Sequence, residues 1–452
     1  MKIARVLPIF KEGSREDPAN YRPISIISVI AKLIEKLVAL RLTKFVDKYF
    51  ILNNSQFGFR SGHSTTHAIT NIHERILENI NDGKHTVSIY LDLSKAFDSV
   101  NHQILLRKLD HYGVRGVALN FFASYLSRRQ QYTSVNGELS SILTVMCGVP
   151  QGSTLGPLLF LLYINDLASA SDFAVSLFAD DTALLKSHTD LKLLERSCNN
   201  ELIHINNWFL ANKLTANRSK ASKYMLTLGK IPRGTSLPNI TLYMGSTILE
   251  RVTSIKYLGI IFDEQFKWHE HISFLCKKIS KSVGVLSKLR YYTNVKTLIQ
   301  VYHSLVGSHL TYANIAWGAA GVTALKPLRA LQNRAIKFIS RATRYRRLDL
   351  DYLNLRILKL DDSYRHSIAK FMHQYYLNKL PAYFSTFFVN VRTATRYGSN
   401  NHYRPIKCKK AIMENSVRYA GPNRWEKIPP SIRDLKPGAF KKAYTNLLLA
   451  SY

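Results

Sequence analysis

The sequence predicts an α+β core with an appended helical domain, and three observations carry that prediction. Strand-type apolar runs alternate with helical-period segments up to about residue 262. From His271 to about Arg347 the pattern turns helical and basic. Two of the apolar runs carry acids at their ends, which makes them simplest as neighbours in one antiparallel sheet covered by helices on one face.

Taken in order, residues 1–30 read as extended, punctuated by Pro8, Pro18 and Pro23. An amphipathic helix is predicted over Ile30 to Tyr49, with Ile30, Leu33, Ile34, Leu37, Val38 and Leu42 on one face. Ser64 or Thr65 opens a second helix to Asn81, stopped at Gly83. Thr86 to Leu93 is a buried strand ending at Asp92. Asn101 caps a helix over His102 to His111, closed by Gly113, and Val117 to Ser127 is helical. Asn136-Gly137 marks a hairpin. An apolar helix over Leu155 to Leu167 follows the Gly148–Gly156 loop. Val175 to Leu185 is a hairpin bent at two acids. Thr189 or Asp190 opens a long helix to about Lys213, with Leu191, Leu194, Cys198, Leu202, Ile205 and Phe209 facing the core. Strands are expected at Lys223 to Leu228 and Ile255 to Phe262. Residues 350–452 are mixed and aromatic-rich, without repeats.

A chain of 452 residues is too long for one core and suggests two to four domains or subdomains. Its apolar fraction of 46% argues against disorder. Lys and Arg outnumber Asp and Glu by 63 to 30, for a formal charge of +33, which calls for a polyanionic partner. The basic residues are spread along the chain rather than gathered in one juxtamembrane cluster, so nucleic acid is favoured over an anionic membrane. Cys147, Cys198, Cys276 and Cys408 form no C-x-x-C pair, which disfavours a disulfide framework and a zinc finger. Met1 to Phe10 lacks a signal-peptide pattern, and the best apolar run, Leu155 to Ile164, is too short to span a bilayer. The expected location is intracellular, in the nucleus or cytoplasm.

The chemistry gathers at the acids. Asp180 and Asp181 sit between Val175-Ser176-Leu177-Phe178-Ala179 and Thr182-Ala183-Leu184-Leu185. Two adjacent carboxylates in an apolar setting lose water and repel each other, a cost that a divalent cation removes. With Asp92 closing a neighbouring strand, the set matches a two-metal phosphoryl-transfer site, whose ions stand roughly 3.5–4 Å apart. A lone Asp-Asp would more simply be a surface turn.

Seven motifs in a fixed order then carry a resemblance. They are Leu7-Pro8-Ile9-Phe10-Lys11, Asn20-Tyr21-Arg22-Pro23-Ile24-Ser25, Gln56-Phe57-Gly58-Phe59-Arg60 with Gly62, Leu91-Asp92-Leu93-Ser94-Lys95-Ala96-Phe97-Asp98, Gly148-Val149-Pro150-Gln151-Gly152-Ser153, Phe178-Ala179-Asp180-Asp181, and Tyr257-Leu258-Gly259-Ile260. Over about residues 4–345 the chain resembles the reverse transcriptase of non-LTR, LINE-type (jockey-like) retrotransposons. Phe178 ahead of Ala-Asp-Asp resembles the non-LTR branch more than the retroviral one.

The resemblance implies a right hand with an antiparallel-sheet palm and a helical thumb. Fingers are expected over residues 1–85, a palm with inserted fingers helices over 86–262, a thumb over 263–347, and a C-terminal region of unassigned role over 348–452. It implies an RNA-directed DNA polymerase that joins dNTPs to a primer 3′-hydroxyl on an RNA template. Two Mg²⁺ ions, or Mn²⁺, would be held by Asp92, Asp180 and Asp181, with Asp181 more peripheral. Lys11 and Arg22 would grip the triphosphate. Phe97 would be the steric gate against ribose, and Gln151 with Gly152 would contact the template or nascent pair. Glycines on both sides of that loop would let backbone approach the base pair. Asp98 would be structural, bonded near the helix at Asn101. Lys220, with Lys223 as the other candidate and Asn217 beside it, would protonate the leaving pyrophosphate. Tyr257, Leu258 and Gly259 would support the primer end. Lys277, Lys278, Lys281, Lys288 and Arg290, with a cluster of Arg341, Arg344, Arg346 and Arg347, would meet phosphates.

The family's usual N-terminal endonuclease has no room before Leu7, so a fragment of a larger element protein or a decayed copy is expected. No Cys/His knuckle or RNase H constellation is evident. The rival readings are a catalytically inactive nucleic-acid-binding remnant and a maturase-type factor.

Overall fold

The computed structural model describes residues 2–11, 13–93, 95–215, 223–229, 240–341, 347–395 and 398–452. The N-terminal segment forms a hairpin, β1 (Ile3–Phe10) and β2 (Tyr21–Ile26), in which Ile9 faces Arg22. Helix α1 (Val29–Lys48) follows, capped by the Ser28 hydroxyl, and then α2 (Thr65–Asn81), capped by Ser64. Strand β3 (His85–Leu91) is buried along its whole length. Asn101 caps α3 (His102–His111) at the predicted bounds, and α4 spans Val117–Leu126. Strands β4 (Arg129–Val135), β5 (Glu138–Leu139) and β6 (Leu143–Val145) join the first sheet. There β4 lies parallel to β1, with Ile3 opposite Gln130. Asn136 and Gly137 both take positive φ at the β4–β5 turn, as an Asn-Gly hairpin requires.

Helix α5 (Gly156–Ile164) is apolar all round and continues into a short 3₁₀ turn. Strands β7 (Ala174–Phe178) and β8 (Asp181–His188) form the acidic hairpin. Asp190 caps α6 (Leu191–Ala211), whose Leu194, Cys198, Leu202, Ile205 and Phe209 are buried as the spacing predicts. Strand β9 (Lys223–Thr227) is followed by a small hairpin, β10 (Tyr243–Met244) and β11 (Thr247–Ile248), and by β12 (Glu250–Arg251). The central sheet runs β12-β9-β3-β8-β7, antiparallel except where β12 meets β9.

Helices cover both faces of this sheet, not one. Val87, Ile89 and Leu91 pack into a core shared with α5 and α6, while Tyr90, Ala183 and Leu185 pack into another shared with α2. The alternate β3 positions Thr86 and Ser88 are fully buried and small, leaving room for a helix on what a strand pattern alone would assign to solvent.

Strands β13 (Ser254–Tyr257) and β14 (Ile260–Asp263) form a tight hairpin. The helical segment follows as α7 (His269–Leu289), α8 (Val295–Tyr302), α9 (Ser308–Thr311), α10 (Asn314–Trp317) and α11 (Val322–Ser340). The C-terminal region holds α12 (Leu348–Leu355), α13 (Leu360–Tyr376), a hairpin of β15 (Val389–Thr395) and β16 (Gly398–Arg404), α14 (Val417–Trp425), α15 (Pro430–Arg433) and α16 (Pro437–Leu449). Most of its buried apolar residues share one core with Phe57, Ala68 and Ile315, while Tyr352, Ile357, Leu360 and Met413 join the core of the helical segment. Among the described residues, no helix is long and apolar enough to cross a membrane.

Helix α1 turns the other way from its apolar stripe. Glu35, Leu42 and Val46 are buried, whereas Leu33 is 59% and Leu37 65% exposed. Two hydrogen bonds explain the choice: Glu35 accepts from the Tyr125 hydroxyl (2.9 Å) and from the Thr154 backbone N–H (2.7 Å). A buried carboxyl held by two donors fixes the helix's rotation more strongly than exposure of scattered aliphatic residues opposes it.

Candidate functional site

Strand register assembles the acids. In the β3–β8 ladder Leu91 faces Thr182, so Asp92, the next residue, leaves β3 beside Asp181. In the β7–β8 ladder Phe178 faces Asp181, leaving Ala179 and Asp180 as a two-residue turn. Asp92, Asp180 and Asp181 thus share one end of the central sheet. All three are half-buried.

Their electrostatics agree with that placement. Burial, then the Asp92 charge, pushes the Asp180 carboxyl above its usual range, while Lys11 and Arg22 pull it back. Asp181 is pushed up to about 6 by burial, then by Asp180 and Asp92, with Lys11 opposing. Asp92 disfavours the ionised form of Asp180, and Asp180 and Asp92 together disfavour that of Asp181, as like charges do. Lys11 and Arg22 are both exposed at the β1–β2 hairpin, since Arg22 is opposite Ile9 and Lys11 follows the last residue of β1, two residues beyond Ile9.

Hard carboxylate oxygens in an apolar surround are the donor set a hard divalent cation takes. Among the described residues, however, no group of three or more His, Cys, Asp or Glu is closed into a cation-holding arrangement. The register brings the strand ends together without drawing the three carboxylates onto one point.

The turn itself is built by the Gln56-Phe57-Gly58 segment. Ala179 adopts φ +56°, uncommon for a residue with a Cβ. Its N–H donates to Gln56 Oε1 (3.2 Å), which also accepts from Gly58 N–H (2.8 Å). A Cβ on Gly58 would lie 2.4 Å from the Ala179 nitrogen, so only glycine fits against the turn. In the sequence Gln56 counts only as part of a motif; its neighbour glycine is the one local sign of a close approach.

The Gly148–Ser153 loop is anchored on both sides. Gln151 Nε2 donates to both carboxylate oxygens of Asp98 (3.2 and 3.1 Å), and the Gln151 carbonyl accepts from Ser25 N–H (2.7 Å). Asp98 therefore bonds Gln151 rather than the start of α3. The glycines meet protein backbone: a Cβ on Gly148 would lie 2.7 Å from the Asp98 carbonyl oxygen, and one on Gly152 (φ +111°) 2.8 Å from that of Ser25. Close approach is required, as expected, but to this chain's own β2 and its Asp98 segment. Phe97 is half-buried, stacked on Phe160 with ring centroids 4.6 Å apart and touched edge-on by the exposed Phe59.

Leu258 and Gly259 form the β13–β14 turn with positive φ at both positions. The Tyr312 hydroxyl donates to the Leu258 carbonyl (2.6 Å), and the Tyr312 ring limits space at Gly259. Tyr257 is buried against Tyr90, close enough to Asp181 that burial and that charge hold its phenol well above the usual range.

Among the remaining candidate residues, Asn217 and Lys220 lie outside the described residues, as do Arg344 and Arg346. Lys223, the alternative to Lys220, pairs with Glu250 (3.2 Å). Lys277, Lys278, Lys281 and Lys288 are exposed on α7. Arg341 braces its own chain, donating to the carbonyls of Arg290 (3.0 Å) and Thr293 (2.8 Å), and Arg290 lies over the Phe338 ring. Arg347 is exposed.

Comparison with known proteins identifies the family. The reverse transcriptase (RNA-dependent DNA polymerase) family matches residues 9–262. A probable RNA-directed DNA polymerase from transposon BS of Drosophila melanogaster is 30% identical, over 75% of this chain and 38% of its own length. The RNA-directed DNA polymerase from the mobile element jockey of the same species is 28% identical, over 82% of this chain and 41% of its own. The chain thus spans about two fifths of the length of these relatives. Among solved structures, apo telomerase from Candida tropicalis aligns over 80% of this chain and 63% of its own, at 10% identity and a TM-score of 0.41. With seven ordered motifs inside or beside the matched span, the chain belongs to the reverse transcriptase family and is similar to the polymerases of non-LTR retrotransposons.

Proposed function

We propose that this chain is the polymerase part of a non-LTR retrotransposon protein, extending a primer 3′-hydroxyl with dNTPs on an RNA template. The observation that carries the reading is the register. One ladder sets Asp92 beside Asp181, the other leaves Asp180 in the turn, and Lys11 acts on both Asp180 and Asp181 while Arg22 acts on Asp180.

In this reading residues 1–85 are fingers, 86–262 the palm with inserted fingers helices, and 263–347 a helical thumb. Asp92, Asp180 and Asp181 are the residues that would hold Mg²⁺, with Mn²⁺ as a substitute, and two ions are expected. Such ions, when bound, supply the positive charge that eases deprotonation of the primer hydroxyl and offsets charge on the triphosphate. Lys11 and Arg22 bind triphosphate oxygens, Arg22 as a planar fork and Lys11 as a point charge. Phe97, backed by Phe160, is too firmly seated to yield to a ribose 2′-hydroxyl, so it selects deoxyribose. Gln151, held by Asp98, presents the loop's backbone to the nascent pair. The Tyr257-Leu258-Gly259 turn supports the primer end.

Primer extension on an RNA template with Mg²⁺, comparing wild type with Asp180→Asn, tests the reading. Extension by wild type and its loss in the variant are expected. Folded wild-type protein that binds primed template yet adds no nucleotide in Mg²⁺ or Mn²⁺ would instead be a binding remnant.

A further inference from the structure

We propose that Gln56 is a positioning residue for the Ala179–Asp180 turn, and that the C-terminal region fixes it through Phe57. The inference rests on the reading that this turn carries metal-binding acids.

In a two-residue turn closed by Phe178 and Asp181, the Ala179 N–H lies outside the ladder, and Ala179's left-handed backbone is one that L-residues hold only under constraint. Gln56 Oε1 takes that N–H at 3.2 Å from a side chain only 1% exposed. The same oxygen accepts Gly58 N–H at 2.8 Å, which locks the amide's orientation. The segment is zipped to the edge of β7 as well. Phe57 N–H donates to the Leu177 carbonyl and Leu177 N–H to the Ser55 carbonyl, both at 2.8 Å. Gly58 leaves no gap in which the turn could slip. The position of Asp180 is therefore set by a side chain more than a hundred residues earlier in the sequence.

The clamp has an anchor. Phe57 is 1% exposed, with the rings of Tyr383 and Phe384 at 6.1 and 6.3 Å. Tyr383 is itself pinned, since its hydroxyl accepts from Arg75 Nε at 2.7 Å. These aromatics lie beyond the matched family span of residues 9–262. The C-terminal region thus braces the acidic turn from behind, through one phenylalanine and one amide.

A purely structural residue, once changed, lowers stability and activity alike at every metal concentration. A positioning residue alters the metal response. The test uses the full chain as wild type, Gln56→Met (similar shape, no acceptor) and Phe384→Leu. Thermal melting reports folding, primer extension across Mg²⁺ and dNTP concentrations separates metal from nucleotide dependence, and calorimetric Mn²⁺ titration needs no catalysis. Gln56→Met is expected to weaken Mn²⁺ binding and raise half-saturating Mg²⁺ about tenfold, with dNTP KM within about twofold and activity recovered at high Mg²⁺. Phe384→Leu is expected to shift both in the same direction by about threefold, and it carries the test if Gln56→Met fails to fold. A folded Gln56→Met with wild-type Mn²⁺ affinity overturns the proposal, and so does a uniform loss at all Mg²⁺ levels. Wild-type protein that binds Mn²⁺ but extends nothing defeats the polymerase reading alone, and the calorimetric comparison then still decides. Wild type that does neither overturns both.

Discussion

Ala179 shows how much of this site depends on single atoms. A left-handed alanine costs on the order of 1 kcal/mol, and it persists because Gln56 and Gly58 close around it. Gly58→Ala should be among the most damaging one-methyl changes in the chain. The new Cβ would sit 2.4 Å from the Ala179 nitrogen, and the atom it meets is backbone, which cannot rotate aside. The turn must move by roughly an ångström, and misplacement of that size costs about 100-fold in rate. Single-turnover extension should fall by that factor while RNA binding holds; a variant within threefold of wild type would contradict the account. Arg22→Ala should act differently, because Arg22 is exposed and carries no packing. Its loss should raise dNTP KM by about tenfold, the worth of one charge-assisted contact, and leave melting unchanged.

At the scale of elements, helix α2 lies between the acidic sheet and the C-terminal region. One face packs under β3 and β7, and the other presents residues at helical spacing to the C-terminal region. Glu74, 2% exposed, caps α14 from outside that helix: it accepts from the Ser416 hydroxyl, Val417 N–H (2.9 Å) and Arg418 N–H (3.3 Å). Burial pushes the Glu74 carboxyl up, but His73 and these donors outweigh it and hold it below its ordinary value. Glu74→Ala leaves the Val417 N–H and the Ser416 hydroxyl without their acceptor, while Arg418 N–H keeps Ser416 Oγ (3.0 Å), and should cost about 2 kcal/mol, read as a lower urea midpoint with an unchanged slope. Helices α3 and α6 were legible because their caps, Asn101 and Asp190, are local signals beside a clean apolar period. The rotation of α1 and the Glu74 contacts at the start of α14 were not legible. Each is decided by a glutamate whose partners lie far away in the chain, and periodicity carries no record of such contacts. The acid pair and Asp92 could be read for a related reason. Strand ends and a bend are local, whereas the Gln56 clamp that sets the bend is not.

For the whole molecule, a formal charge of +33 and buried histidines point to conditions under which it holds together. Excess cations repel one another as pH falls, and two neutral imidazoles sharpen the effect. His67 lies between the rings of Phe371 and Phe384, and burial, then His63 and Lys370, lowers it to about 4. His271, packed against Trp268 and Trp317, is lowered to about 4 by burial. The sign follows from which state binds the proton. Between about pH 6.5 and 4 these groups are protonated when unfolded and neutral when folded, so the unfolded state gains protons and stability falls as pH drops through that window. Each histidine contributes at most about 3 kcal/mol, complete near pH 4 and absent above about pH 7. Urea midpoints should therefore decline from pH 7 to pH 5, well before carboxylate protonation dominates. His67→Leu isolates one term. The site is apolar and His67 Nδ1 makes no hydrogen bond, so the variant should match wild type at pH 7 and lose less stability by pH 5. Parallel pH profiles for the two proteins would show that His67 takes up its proton in the folded state as readily as in the unfolded one.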